Sequence, residues 1–259
     1  MSRRRLDAEM VRRGLAENAD EARRAIDQRS VVVDGAPAMK AGSLVEKDSR
    51  IRVERPRRFV SRGGEKLQGA LEDLGIDVAG KRCLDAGAGS GGFTDCLLQR
   101  GAECVVAVDV GYGQFDWTLR RNPRVRLLER TNIRHLPIPG LAGSFDLVVG
   151  DLSFVTLRSL VPTLVAMARE DGTLLLLVKP QFEVPPRLVG AGGVITDPAA
   201  WQLAVESVAD GLQEAGWAVV AVTPSRLRGA DGNQEFFLEA RRGVGRAADA
   251  ISKAVASLS

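Results

Sequence analysis

The stretch that decides the fold is Arg82-Cys83-Leu84-Asp85-Ala86-Gly87-Ala88-Gly89-Ser90-Gly91-Gly92-Phe93-Thr94. It reads as a short apolar strand, a glycine turn and the first turn of a helix. Glycines in such a turn let the backbone approach a ligand closely and take angles closed to other residues. The pattern alone is shared by several kinds of nucleoside cofactor, so its neighbours must discriminate. Asp85 stands two residues ahead of the first glycine, where an anion suits a ligand amine. A dinucleotide would instead lay phosphates over the loop and the helix N-terminus, and a carboxylate beside them would repel. Asp85, Gly87, Ala88, Gly89, Ser90, Gly91, Gly92 and Phe93 are therefore expected to hold a cofactor, with S-adenosylmethionine preferred over NAD.

Outward from this loop, strand and helix patterns alternate, the signature of a doubly wound α/β domain. Strands are expected near 82–85, 103–109, 125–129, 145–151, 172–179, 217–223 and 235–241. Helices fit 65–74, 92–100, 115–121, 156–169 and 197–214. The last two strands are joined by a loop alone, which predicts a hairpin adding an antiparallel strand at the sheet edge. The second strand runs into Asp109, placed to accept hydrogen bonds from ribose hydroxyls, a role that serves either cofactor. Thr131-Asn132-Ile133 follows the third strand, where an adenine edge would be read, with Asn132 as the reader. The stretch 183–196, rich in proline and glycine, reads equally as a loop over the site and as an ordinary surface loop.

Four polar residues fall where such a sheet exposes its functional edge. Lys66 opens the first helix of the domain, Asp151 ends the fourth strand, Lys179 ends the fifth and Glu235 begins the last. Ligands bind outside the carboxyl ends of the strands, so Asp151 and Lys179 are expected to share one crevice, Asp151 also reaching the cofactor. A lysine directly after the apolar run Leu174 to Val178 is costly to bury without partners. It reads either as a structural ion pair or as a group that takes a proton from a hydroxyl, with Asp151 and Glu235 orienting it.

The front of the chain differs in character. Residues 1–62 carry 16 basic and 10 acidic side chains, a net of +6 on a protein whose overall charge is +3. A basic module on a mildly acidic body predicts a polyanion partner. Leu6, Met10, Val11 and Leu15 recur at helical spacing, a second helix fits Asp20 to Gln28 with Asp20 as N-cap, and strands fit Val31 to Gly35 and Ser49 to Glu54. Arg3, Arg4, Arg5, Arg12, Arg13, Arg23, Arg24 and Arg29 decorate the helical part, and Arg58 and Arg62 continue the charge into the connector. As a set they suit phosphate, which guanidinium grips at two points.

The segment "RRRLDAEMVRRGLAENADEARRAIDQRSVVVDGAPAMKAG" (3–42) resembles an S4 domain, a small RNA-binding fold. Lys66, Asp151, Lys179 and Glu235 resemble the Lys-Asp-Lys-Glu tetrad of FtsJ-like ribose 2′-O-methyltransferases. Together with "SRGGEKL" (61–67), "LDAGAGSGGFTD" (84–95), "VDVGYGQ" (108–114), "DLSF" (151–154), "VKPQFE" (178–183) and "GNQEFF" (232–237), nearly the whole chain is similar to the TlyA family. The resemblance implies a Rossmann-like class I methyltransferase sheet, mostly parallel and seven-stranded, behind an S4 domain. The implied division is 1–56 S4-like, 57–62 basic linker, 63–243 catalytic domain and an unassigned tail 244–259. It further implies S-adenosylmethionine as cofactor and methylation of cytidine ribose in 16S and 23S ribosomal RNA. Ribosomal subunits would be the partners and the protein a monomer. Better-known members have Arg-x-Trp-Val in the linker, whereas this chain has Arg57-Arg58-Phe59-Val60, which keeps the aromatic face and loses an indole N–H.

Composition limits the alternatives. A hydrophobic fraction of 45% and a charged fraction of 27% are those of a globular protein. No apolar run approaches a membrane span and the N-terminus lacks a signal-peptide core, so a cytoplasmic protein is expected and the hemolysin label attached to parts of the family is disfavoured. Cys83, Cys96 and Cys104 lack C-x-x-C spacing and read as reduced, mostly buried thiols, and with His135 the single histidine, no metal site is expected. A non-catalytic RNA-binding or ribosome-assembly factor remains the competing reading.

Overall fold

The computed structural model describes residues 3–53, 58–135, 140–243 and 248–258, in two compact units, Met1–Arg58 and Phe59–Ser259. In the first unit, β1 (Arg4–Arg5) leads into α1 (Leu6–Arg12) and α2 (Ala19–Asp27). β2 (Val31–Val33), β3 (Ala36–Pro37), β4 (Leu44–Val45) and β5 (Ile51–Val53) follow. The order β3-β2-β5 forms one antiparallel sheet and β1 pairs with β4. The β2–β3 turn uses Asp34 and Gly35, both at positive φ, as a tight hairpin requires. Leu6, Met10, Ala22, Ile26 and Val31 close the core of this unit. The cap of α2 is Asn18, not the expected Asp20: its side chain accepts from Glu21 N at 2.9 Å, and Asp20 lies inside the first turn. Three two-residue strands escaped the sequence reading because they carry too few residues to show a period. Glu54 and Arg57 of the expected last strand and linker lie outside the described residues.

Asp7 and Glu9 are buried in this unit, and their partners are the arginines. Arg5 holds Asp7 at 2.8 Å, and Arg12 and Arg13 hold Glu9 at 2.5 and 2.7 Å. Those guanidiniums draw both carboxyls down to about 2. A depressed acid stabilises the fold above its unfolded value and loses that contribution as pH falls through the folded value. Acidification from about 4.5 to about 2 should therefore melt this unit's helical signal, and Glu9→Gln should flatten the acid limb while lowering stability at neutral pH. Circular dichroism melts across that range check it; an unchanged acid limb in the variant would assign the effect to other groups.

The second unit opens with α3 (Arg62–Asp73), β6 (Arg82–Ala86), α4 (Gly92–Gln99), β7 (Cys104–Val108), α5 (Trp117–Arg120) and β8 (Val125–Leu128). It continues with β9 (Phe145–Gly150), α6 (Val161–Met167), β10 (Ala168–Val178), α7 (Pro180–Glu183), α8 (Pro198–Glu214), β11 (Trp217–Pro224), β12 (Phe236–Arg242) and α9 (Ala248–Ala256). The seven strands lie in the order β11-β12-β10-β9-β6-β7-β8. β12 runs antiparallel to both its neighbours, and the pairings among β10, β9, β6, β7 and β8 are parallel. The antiparallel strand is thus second from the edge, with β11 outermost, rather than at the edge as the hairpin alone predicted. A hairpin of two strands cannot say which of them docks against the existing sheet.

Helices cover both faces, so the central strands are apolar throughout and alternate between two cores. Leu174, Leu176 and Phe236 face the α6–α8–α9 side, while Leu175, Leu177 and Phe237 face the α3–α4 side. The tail left unassigned by sequence contains α9, whose Ile251, Ala254 and Val255 are buried against α8 and β11; 244–247 lie outside the described residues. Cys83 and Cys96 are buried free thiols and Cys104 is half-buried. Among the described residues no helix is long and apolar enough to cross a membrane, and no cluster of three or more His, Cys, Asp or Glu could hold a metal.

Candidate active site

The turn after β6 and the ends of β7, β9 and β10 meet at one sheet edge because these strands run parallel, and β12, antiparallel, begins where they finish; Lys66 reaches the same edge from α3. A cavity of about 770 Å³ lies there. Its wall is built from the turn after β6 (Gly87 to Ser90, with Gly92 and Phe93), the end of β7 (Asp109) and the segment with Asn132. Lys66, Asp151 and Lys179 complete it.

The turn is held tightly from below. Gly87 and Ala88 donate to Val108 O, and Asp151 N donates to Ala86 O at 2.9 Å. Gly91, at φ +94, caps α4 in the left-handed region that a side chain disfavours. Asp109 accepts from Gly89 N at 2.7 Å and Gly111 N at 2.6 Å, so its carboxylate ties the turn to the β7 exit and faces the cavity.

Asp85 does not line the cavity. It is fully buried beneath the turn, with one oxygen accepting from Thr94 Oγ1 at 2.7 Å and the other unpaired. Burial pushes its carboxyl up from 3.8 to about 7, against the lowering effect of the Thr94 hydrogen bond. Because the folded acid is the weaker one, the folded chain keeps a proton that the unfolded chain has lost, and stability declines as pH rises through this interval. Asp85→Asn should therefore gain thermal stability over the native protein as pH is raised from about 5 to about 8. Parallel melting-temperature profiles for the two proteins would contradict this account.

The four expected polar residues come together as two pairs. Lys66 Nζ donates to Glu235 Oε2 at 2.5 Å, with both side chains buried. Lys179 Nζ lies 2.6 Å from Asp151 Oδ1 and donates to Ser153 Oγ at 2.7 Å. The Lys179–Asp151 contact is an ion pair whose angles leave Oδ1 without a well-directed hydrogen bond, so Ser153 is the directional partner. Burial raises the Glu235 carboxyl, with Lys66 and Lys179 both pulling it back down. Two ammonium groups, two carboxylates and a hydroxyl therefore share one field beside the cavity. Ser153 was missed in the sequence; its signal was the position two residues past Asp151 on the strand exit. Thr94, the partner of Asp85, left none beyond its place one turn into α4.

The 183–196 stretch contains short 3₁₀ turns and is pinned by Asn233, which donates to Gly193 O and accepts from Ile195 N; its described side chains do not line the cavity. Phe59 is buried in the second unit's core, and Val60 N donates to Asp95 Oδ2 at 2.9 Å. Arg62 lines the cavity and donates to Arg228 O. In the first unit Arg13 is the most enclosed of the ion-paired arginines, its side chain 22% exposed and its donors directed to Glu9 and to Ser49 O and Lys47 O. Arg3, Arg4, Arg5 and Arg23 are each more than half exposed, and Arg12, Arg24, Arg29 and Arg58 also lie at the surface.

This sheet order and glycine turn define a Rossmann-like methyltransferase domain, and residues 59–242 match the FtsJ-like methyltransferase family while 4–51 match the S4 domain. The chain belongs to the FtsJ-like methyltransferases and, within them, to the TlyA family. It is 50% identical over 253 residues to the 16S/23S rRNA (cytidine-2′-O)-methyltransferase TlyA of Mycobacterium tuberculosis, covering 96% of this chain and 94% of that protein. Hemolysin A of Brachyspira hyodysenteriae is 33% identical over 90% of this chain and 98% of its own. A solved structure from Streptococcus thermophilus, described as a hemolysin candidate, superposes with a TM-score of 0.75 at 31% identity, covering 99% of this chain and 96% of that one.

Proposed function

We propose that the chain methylates the ribose 2′-oxygen of cytidine in 16S and 23S ribosomal RNA, with S-adenosylmethionine as donor, in the cytoplasm. The observation that carries this reading is Lys179 Nζ, held between Asp151 and Ser153 on the wall of the same cavity as the glycine turn. The cavity lies in the size range of small-molecule sites, and its donor set suits this cofactor. Asp109 offers acceptors for ribose hydroxyls, and Asn132 lines the same cavity, where we assign it to the adenine edge. When bound, S-adenosylmethionine supplies an electrophilic methyl group.

The protein's own residues then have one proton to manage. Lys179 Nζ, as the amine, takes the proton from the 2′-hydroxyl; Asp151 and Ser153 hold Nζ in place for it. Lys66, which lines the cavity, is paired with Glu235, and Glu235 adds its field to that of Asp151 around Lys179. The exposed arginines of the first unit, with Arg58 and Arg62, grip backbone phosphates and carry no base specificity.

The test is tritiated methyl transfer to unmethylated ribosomal RNA and to isolated small and large subunits, followed by mass spectrometry of the nucleosides. Ribose-methylated cytidine from both subunits is the expected product. Tight RNA and cofactor binding with no transfer to any of these substrates would replace the enzyme reading with that of an assembly factor.

A further inference from the structure

The Lys66–Glu235 pair joins two pieces of chain that the sheet does not hold together: α3, and the loop that connects β11 to β12. One contact within the loop and a second tie to α3 complete the link. Ser225 N donates to Glu235 O at 2.8 Å, so the residue before Arg226 is bonded to the backbone of Glu235 itself. Arg226 then reaches back to α3, with Nη2 at 2.5 Å from Asp73 Oδ1, Nε at 3.2 Å from Asp73 Oδ2 and Nη1 at 2.8 Å from Glu72 Oε2. Its aliphatic stem lies across Gly69, where a Cβ would come within 2.8 Å of Arg226 Cδ. Lys66, Gly69 and Asp73 follow at i, i+3 and i+7, a single stripe of α3. The contacts form a closed circuit: Lys66 to Glu235, Glu235 to Ser225, Arg226 to Asp73, and α3 back to Lys66.

We propose that Arg226 is a positioning residue for the Lys66–Glu235 pair, setting the distance between α3 and the β11–β12 loop. The inference rests on the proposed role of that pair in methyl transfer. Arg226 is about half exposed. Exposed ion pairs add little to global stability, so the clamp acts on geometry more than on the melting temperature. Guanidinium suits this task because its planar fork grips two carboxylates at once, which a lysine cannot reproduce.

The experiment compares turnover, KM and thermal stability of the full-length protein with those of Arg226→Ala, Gly69→Ala, Glu235→Gln and the double variant Arg226→Ala/Glu235→Gln. Displacing a positioned group by a fraction of an ångström is expected to lower kcat about tenfold, with KM for S-adenosylmethionine and RNA unchanged. Gly69→Ala carries the sharper contrast: alanine favours the helix, so its melting temperature holds or rises while displacement of the Arg226 stem lowers kcat. In the double variant Arg226→Ala should add almost nothing to the loss from Glu235→Gln, because both act through one pair. Additive losses, or native turnover in both Arg226→Ala and Gly69→Ala, overturn the proposal. If Arg226→Ala does not fold, Gly69→Ala decides alone. Native turnover in Glu235→Gln itself would instead sink the role assigned to the pair, an outcome separate from either of these.

Discussion

Lys179→Met is expected to reduce methyl transfer by about 10³-fold while leaving cofactor affinity within a few-fold of native, since general-base removal typically costs ~10²–10⁴. Methionine preserves the unbranched shape and the apolar stem at the end of β10, so the strand keeps its packing and only Nζ disappears. The loss leaves Asp151 and Ser153 without their shared partner, and Asp151, 24% exposed, can recruit water in its place. Single-turnover transfer measures the chemistry, and calorimetric titration with S-adenosylhomocysteine measures binding. Lys179→Arg separates two meanings of the residue: arginine keeps a positive charge but does not surrender its proton, so it should be nearly as inactive as methionine. Activity in Lys179→Arg close to native would show that the charge, and not proton transfer at Nζ, is what the reaction uses.

The sequence made this site legible because an α/β sheet converts chain order into spatial order. Residues at the ends of β7, β9 and β10 must share an edge once those strands are parallel, and the start of β12 must join them once it is antiparallel. Asp109, Asp151, Lys179 and Glu235 could thus be placed from the strand pattern alone. Lys66 could be placed by resemblance but not by topology, since a helix ahead of the first strand has no fixed position along the edge. What remained hidden was decided by side-chain reach and by solvent. Asp85 was expected beside the ligand, yet it sits under the turn, because Thr94 draws one oxygen inward and the glycine backbone seals it over. The basic face of the first unit read as a set of equivalent arginines. Asp7 and Glu9, which the sequence did not single out, are buried and hold Arg5, Arg12 and Arg13 in ion pairs. Arg226, separated from Lys66 in sequence by the six strands β6 to β11, carried no periodic signal at all.

Gly87→Ala should be as damaging as the loss of Lys179, for a different reason. Gly87 has φ +85, and a Cβ there would stand 2.4 Å from Asp151 O and 3.0 Å from a Leu152 side-chain carbon. The carbonyl belongs to backbone that Ala86 already fixes through Asp151 N, so neither side has room to yield. Left-handed strain and the clash together should cost about 2–4 kcal/mol of stability. The displaced atom is the main chain of Asp151, so Lys179 loses its ion-pair geometry along with the cofactor turn, and transfer should fall by about 10² or more. Gly89→Ala supplies the control. It has φ +52 with open space around its Cβ, so its folding penalty is confined to backbone strain of about 1–2 kcal/mol. Yet Gly89 lines the cavity, and a methyl group there intrudes on the volume where a cofactor would lie. Cofactor affinity should therefore fall in both variants, while the melting temperature falls steeply in Gly87→Ala alone. Equal melting temperatures would mean that the turn and the β9 exit move independently, and that the glycine at 87 is required for the ligand but not for the placement of Asp151.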